Sequence, residues 1–229
     1  DEQLLINNIK NAVLKKDEYI IHKKYSKVFE VINNLLDAET FKHLTKLLVS
    51  INKPNSNFDY ELYFTQIRII LESLFRVANQ NGLLHDKCIV NGKVNLSDSS
   101  LFLAGLETQH SGVKCKKSHF PKLIGESVKG ILFITGAASH TTAANVKNNL
   151  DLQNYRISVG TPYLLYSLMF QLMDVIIWFN AYIVENPNYL TNKSYWLEDN
   201  FGDFAEGQVI NYNPQKGFAF FKPNVLGDN

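Results

Sequence analysis

Cysteine is nearly missing: the 229 residues hold only Cys88 and Cys115. That excludes a small domain stapled by disulfides, and it makes a reducing cytoplasm the expected compartment. Arginine is scarce too, with Arg68, Arg76 and Arg156 alone. An excess of either charge is absent, since 23 Lys and Arg face 22 Asp and Glu and leave a formal charge of +1. No overall basic field attracts a polyanion, so a nucleic-acid surface would have to be a local patch. The sequence has no glycine-rich phosphate loop and no nucleophile elbow. No basic leader with an apolar core opens it, which predicts that there is no signal peptide. A hydrophobic content of 45% and a charged content of 20% argue against global disorder.

Only one long hydrophobic run is present, from Tyr163 to Val184. It is long enough to span a bilayer. Gln171, Asp174 and Asn180 interrupt it, and Ser167, Gln171 and Asp174 fall on one helical face. A carboxylate near mid-bilayer is costly. The expected element is therefore the central helix of a soluble bundle, with no membrane partner. If buried, Asp174 needs a partner such as Arg68 or Lys129, most simply as a structural ion pair.

The rest reads mostly as helix. Residues 1–52 carry apolar positions at helical spacing. Leu4, Leu5, Ile6 and Ile9 start one face, and Val28, Val31, Ile32, Leu35 and Leu36 continue the pattern. A break is expected at Asp37–Thr40, after which Phe41, Leu44, Leu47 and Leu48 resume it. Phe64, Ile67, Ile70, Leu71, Leu74 and Phe75 form the clearest stripe, with Arg68, Glu72 and Arg76 beside it and Asn81-Gly82 as the stop. An irregular insert at about 83–120 holds Val90-Asn91-Gly92-Lys93-Val94, a short hairpin signal, and a basic stretch from Lys114 to His119. A helix is expected from Leu123 to Ile134, and Asn186-Pro187 ends the apolar helix. The expected organisation is a helical bundle over 1–188, a linker over 189–206 and a hairpin over 207–229.

Gly207 to Phe221 reads as strand, turn, strand, with Asn213-Pro214-Gln215 as the turn. Phe218 and Phe220 are two apart, so a strand points both to one face. Lys216 adds a cation beside them. Paired rings next to a cation make a minimal platform for stacking unpaired bases, each worth about 1–3 kcal/mol. Gly207, Val209, Tyr212, Asn213, Lys216, Gly217, Phe218, Ala219 and Phe220 resemble the opening of the cold-shock domain family. Asn211 stands where that family usually has a stacking tryptophan, and Ile210 where it has a basic residue. The resemblance implies a hairpin that begins an OB-type barrel, with RNA or single-stranded DNA held by Lys216, Phe218, Phe220 and Tyr212.

Arg68-Ile-Ile-Leu-Glu72, a long insert, Gly136-Ala-Ala-Ser-His140 and a final apolar helix together resemble HEPN-type bundles. That resemblance implies a homodimer and a place in stress response or phage defence. Active members use an arginine four to six residues before a histidine, and no arginine here has that spacing. Arg68, Glu72 and His140 remain candidate catalytic residues for a divergent ribonuclease, with a structural ion pair and a hydrogen-bonded histidine as the competing reading. His85-x2-Cys88 and Cys115-x3-His119 have zinc-like local spacings, each a half-motif that also arises by chance. No cofactor is expected. The function expected is binding of RNA or single-stranded DNA by the C-terminal module, with the helical domain regulating or dimerising. The alternatives are the divergent ribonuclease and an interaction scaffold that binds no nucleic acid.

Overall fold

Six apolar residues of one helix organise the protein. In the computed structural model, which describes residues 2–53, 60–136, 162–198, 207–213 and 218–223, Phe64, Ile67, Ile70, Leu71, Leu74 and Phe75 are all at most 1% exposed. They belong to α4 (Tyr60–Gln80). The spacing of the stripe puts these side chains on adjoining faces, and each contributes roughly 1.5–3 kcal/mol on burial. The fold is mainly helical, built from several helices packed around this one.

Three helices precede it: α1 (Glu2–Lys24), α2 (Ser26–Leu35) and α3 (Ala38–Ile51). The expected break falls where Asp37 caps α3, its carboxylate accepting the Thr40 N–H at 2.7 Å. That bond, stronger to the ionised form, holds the Asp37 pKa below its usual value against the cost of burial. A second break, at Tyr25, is not signalled by composition. After α4 come a hairpin of β1 (Ile89–Val90) and β2 (Lys93–Val94), then α5 (Leu96–Leu103), β3 (Val113–Cys115) and α6 (Lys122–Gly136). The Asn-Gly turn is in place, with Asn91 at φ 51° and Gly92 at φ 74°. Next are α7 (Tyr163–Glu185), α8 (Tyr189–Lys193) and β4 (Trp196–Glu198).

By length and composition α7 is apolar enough to cross a membrane. It packs on α2, α4 and α6 and buries Leu165, Leu168, Met169, Leu172, Val175, Ile176 and Phe179. Ser167 and Asp174 on its polar face are exposed, so the expected need of Asp174 for a buried partner does not arise. Leu4, Leu5, Ile6 and Ile9 on α1 are also exposed rather than part of the core.

The chain divides into two compact units, Asp1–Leu197 and Glu198–Asn229. In the second, β5 (Gly207–Asn213) and β6 (Phe218–Pro223) pair antiparallel. Val209 faces Phe221 and Tyr212 faces Ala219, with an irregularity between Val209 and Asn211. The expectation of a cold-shock, OB-type barrel is corrected here. Among the described residues the strands form separate two-stranded sheets, β1–β2, β3–β4 and β5–β6, and none closes into a barrel. A barrel needs each strand paired on both edges, and these ladders have one partner per strand. The HEPN-like assignment is corrected as well. It rested on the order of segments, which any multi-helix fold of this length can share, and no HEPN motif is assembled among the described residues.

Between α5 and β3 the backbone is tied by one buried carboxylate. Asp98 is fully buried. It accepts the Gln109 N–H at 3.0 Å, the His110 N–H at 3.1 Å and the Ser111 hydroxyl at 2.6 Å. Thr108 closes the same loop through Val113, donating to its carbonyl at 2.8 Å and accepting its N–H at 2.9 Å. Buried donors left without a partner are costly. Asp98→Ala is therefore expected to destabilise the protein by about 2–3 kcal/mol, measured by urea unfolding. A loss of a few tenths would show that the loop is held by other means.

Candidate functional site

The richest chemistry lies where β3 meets β4. In β3, Val113 and Cys115 point inward and Lys114 outward. Lys116 and Lys117 follow in an exposed turn, and the Lys116 N–H bonds the Tyr195 carbonyl at 2.8 Å. The chain then dives back, with the His119 and Phe120 N–H groups both donating to the Leu103 carbonyl at 2.8 and 3.0 Å.

Beneath the turn lies a chain of three polar side chains. Cys115 Sγ is 3.3 Å from His119 Nε2, and His119 Nδ1 is 2.8 Å from the Tyr182 hydroxyl of α7. A neutral imidazole offers one donor and one acceptor nitrogen, so both contacts are satisfied at once. Burial keeps the ring neutral, lowering the His119 pKa to about 4, with the Lys117 charge acting in the same direction. Burial also raises the Cys115 thiol and the Tyr182 hydroxyl, each partly offset by Lys117. A nucleophilic cysteine needs a thiolate beside an imidazolium. Here burial opposes both charges, so the chain is a packing and positioning device.

Two basic and aromatic groups lie nearby, one over this chain at Lys117 and one beside Gly82 and His85 at Lys193. Lys117 Nζ lies 5.8 Å from the Tyr182 ring centre and 5.4 Å from that of Tyr195. Lys193 Nζ lies 5.8 Å from the Tyr189 ring and 4.9 Å from the Trp196 ring. Each lysine thus spans two rings, and Tyr195 and Trp196 are consecutive. These rings are held in place. Trp196 Nε1 donates to the Gly82 carbonyl at 2.8 Å and its ring packs on His85, centroids 4.4 Å apart. Asn192 bonds the Asn81 and Asn186 carbonyls at 2.8 and 2.9 Å. Gly82 has φ +72°, and a Cβ there would sit 2.6 Å from the Tyr189 carbonyl oxygen, so only glycine fits.

The expected sites fare differently. Arg68 and Glu72 share α4, but Glu72 Oε1 accepts from Arg76 Nη2 at 2.6 Å. Burial lowers the pKa of Arg68, with Glu72 opposing the effect. A Cβ built on Gly136 would lie 3.3 Å from Arg68 Nη1. The guanidinium is therefore next to the last residue of α6, where helix carbonyls carry negative partial charge. His140 lies outside the described residues, as do Lys216 and the side chains of Tyr212, Phe218 and Phe220. The four zinc candidates do not converge. Cys115 and His119 pair with each other, whereas His85 Nδ1 accepts the Lys87 N–H at 3.0 Å. Burial, and after it the nearby Asp98, pushes the Cys88 thiol up to about 12. No group of three His, Cys, Asp or Glu residues suited to a metal exists among the described residues. A groove of about 680 Å³ between α5 and α6 is lined by Leu106, Phe120, Leu132 and Phe133, with Lys122 and Lys129.

The basic run 114–117 is visible in the sequence, but its partners are not. Tyr189, Lys193, Tyr195 and Trp196 fall in a segment whose composition suggested a linker. Alternation of lysine with rings is the signal that could have flagged them. No family model, no curated protein and no solved structure matches this chain.

The buried histidine gives a pH test. His119 titrates near 6.5 in an unfolded chain and near 4 here. Between those values the unfolded chain takes up a proton that the folded chain refuses. Its contribution is complete above pH 6.5, falls as the pH drops toward 4 and flattens below. The loss across that window is on the order of 3 kcal/mol. Urea midpoints at pH 7 and pH 4 should therefore converge in His119→Gln relative to the unsubstituted protein. Equal acid sensitivity in both would mean that His119 is not the group excluded from protonation.

Proposed function

We propose that the helical unit binds single-stranded nucleic acid on the surface formed by Lys114, Lys116, Lys117 and Lys193 with the rings of Tyr189, Tyr195 and Trp196. The observation that carries this reading is the pair of lysines that each span two aromatic rings. Such a surface offers both elements of single-strand binding: cations for the phosphates and ring faces for the bases. An exposed lysine–ring contact is worth about 0.5–1 kcal/mol, less than the roughly 1–3 kcal/mol of a stacked base, so a base can displace it. Tyr189 is 38% exposed, so its ring is reachable. Lys114, Lys116, Lys117 and Lys193 are exposed and carry the phosphate contacts. With a formal charge of +1 for the whole chain, attraction comes from this patch and not from a global field. The two thiols and the imidazole are buried and held neutral, which favours binding over covalent catalysis.

The test is fluorescence anisotropy with a labelled single-stranded oligonucleotide. The triple variant Lys116→Glu, Lys117→Glu, Lys193→Glu is expected to bind at least tenfold more weakly. The slope of log affinity against log salt should shrink by about 2, the value for three lost single-strand phosphate contacts. Unaltered affinity and slope, or no binding by the unsubstituted protein at low salt, would remove the proposal.

A further inference from the structure

Helix α1 is two helices in function. Its last third is docked: Ile21 is 3% exposed, Asp17 meets Lys53 at 3.5 Å and His22 Nε2 is 3.0 Å from Thr45 Oγ1 on α3. Along its first two-thirds, the described side chains from Glu2 to Lys16 are all exposed. Yet this arm carries large apolar residues: Leu4 at 61%, Leu5 at 60%, Ile6 at 36%, Ile9 at 55% and Val13 at 53% exposure. An exposed helix with an apolar stripe needs a partner.

The sequence of the arm specifies which partner. Read outward from Ile9, the residue types repeat in mirror order. Asn7 and Asn11 lie two steps away on either side, Ile6 and Ala12 three steps, Leu5 and Val13 four, and Leu4 and Leu14 five. At seven steps the symmetry is one of charge, with Glu2 on one side and Lys16 on the other. Positions three, four and seven apart share a helical face with Ile9. That face therefore holds Leu5, Ile6, Ile9, Ala12 and Val13, with Glu2 and Lys16 at its ends. A two-fold axis through Ile9 lays position 9 + k of one helix against position 9 − k of an antiparallel copy. An isologous contact demands this kind of self-complementarity.

We infer that the arm is a dimerisation element, pairing antiparallel with the same segment of a second copy of this chain about an axis at Ile9. Leu5 of each copy then packs on Val13 of the other, and Ile9 meets its own equivalent. Glu2 lies across from Lys16 at both ends, giving two reciprocal ion pairs. The same pairing in parallel register would set Glu2 against Glu2 and Lys16 against Lys16, which is repulsive. Over about 22 Å of helix, the pairing covers the exposed apolar stripe of Leu5, Ile6, Ile9 and Val13.

Sedimentation of the full chain reads the state, and cysteine pairing reads the orientation. The unsubstituted protein is expected to sediment as a dimer at micromolar concentration. Ile9→Asp should raise the dissociation constant at least tenfold with an unchanged circular dichroism spectrum, because the position is exposed in the single chain. Glu2→Lys alone should weaken the dimer severalfold, and Glu2→Lys with Lys16→Glu should restore it. Cys88 and Cys115 are buried, so an added thiol reports alone. Ile9→Cys should cross-link on mild oxidation. Leu5→Cys should link only when mixed with Val13→Cys. A monomer at all concentrations would overturn the proposal, as would cross-linking of Leu5→Cys with itself or failure of the double charge swap to restore the dimer.

Discussion

Everything in the helical unit depends on keeping water away from one side of α4. That helix packs on α3, α5, α6 and α7, so each of those elements uses the same buried stripe as its floor. The constraint is geometric as much as energetic. With Phe64, Phe75 and four branched aliphatic residues in the stripe, neighbouring helices have to approach in the registers that these shapes allow. The lysine–aromatic surface inherits its rigidity from this core. Gly82, just past the end of α4, receives the Trp196 indole, and Asn81 receives the Asn192 amide. The rings are thus fixed to the end of the best-packed helix.

What local chemistry dictates could be read from the sequence, and what distant pairing dictates could not. The stripe on α4, the Asp37 cap and the Asn91-Gly92 turn all follow from residues a few positions apart. Proline at 187 stops α7 for an equally local reason. By contrast, the indole of Trp196 and the carbonyl of Gly82 are 114 residues apart, and nothing nearby in the chain signals their contact. The same holds for the pairing of β3 with β4, which turns an apparent linker into part of the folded unit.

The barrel expectation failed for an informative reason. The glycine, lysine and phenylalanine pattern at 207–220 does encode a hairpin, but a hairpin motif does not carry a barrel with it. The apolar residues at the start of α1 have helical spacing without core burial, because periodicity reports an apolar face and not what covers it. For the candidate site, the cysteines and histidines drew attention as metal ligands. Their burial gives them a packing role, while the lysines of the basic run 114–117 lie exposed above Cys115 and His119.

The two thiols have a practical consequence. Both are shielded, and both are pushed toward the protonated form, which reacts slowly with alkylating reagents. Modification then requires an opening of the structure, and the two sites lie under different covers: Cys88 under the loop tied by Asp98, Cys115 under the lysine turn. The rates at which they are labelled amount to two internal clocks, one for each region, that record how often the protein breathes without any added probe.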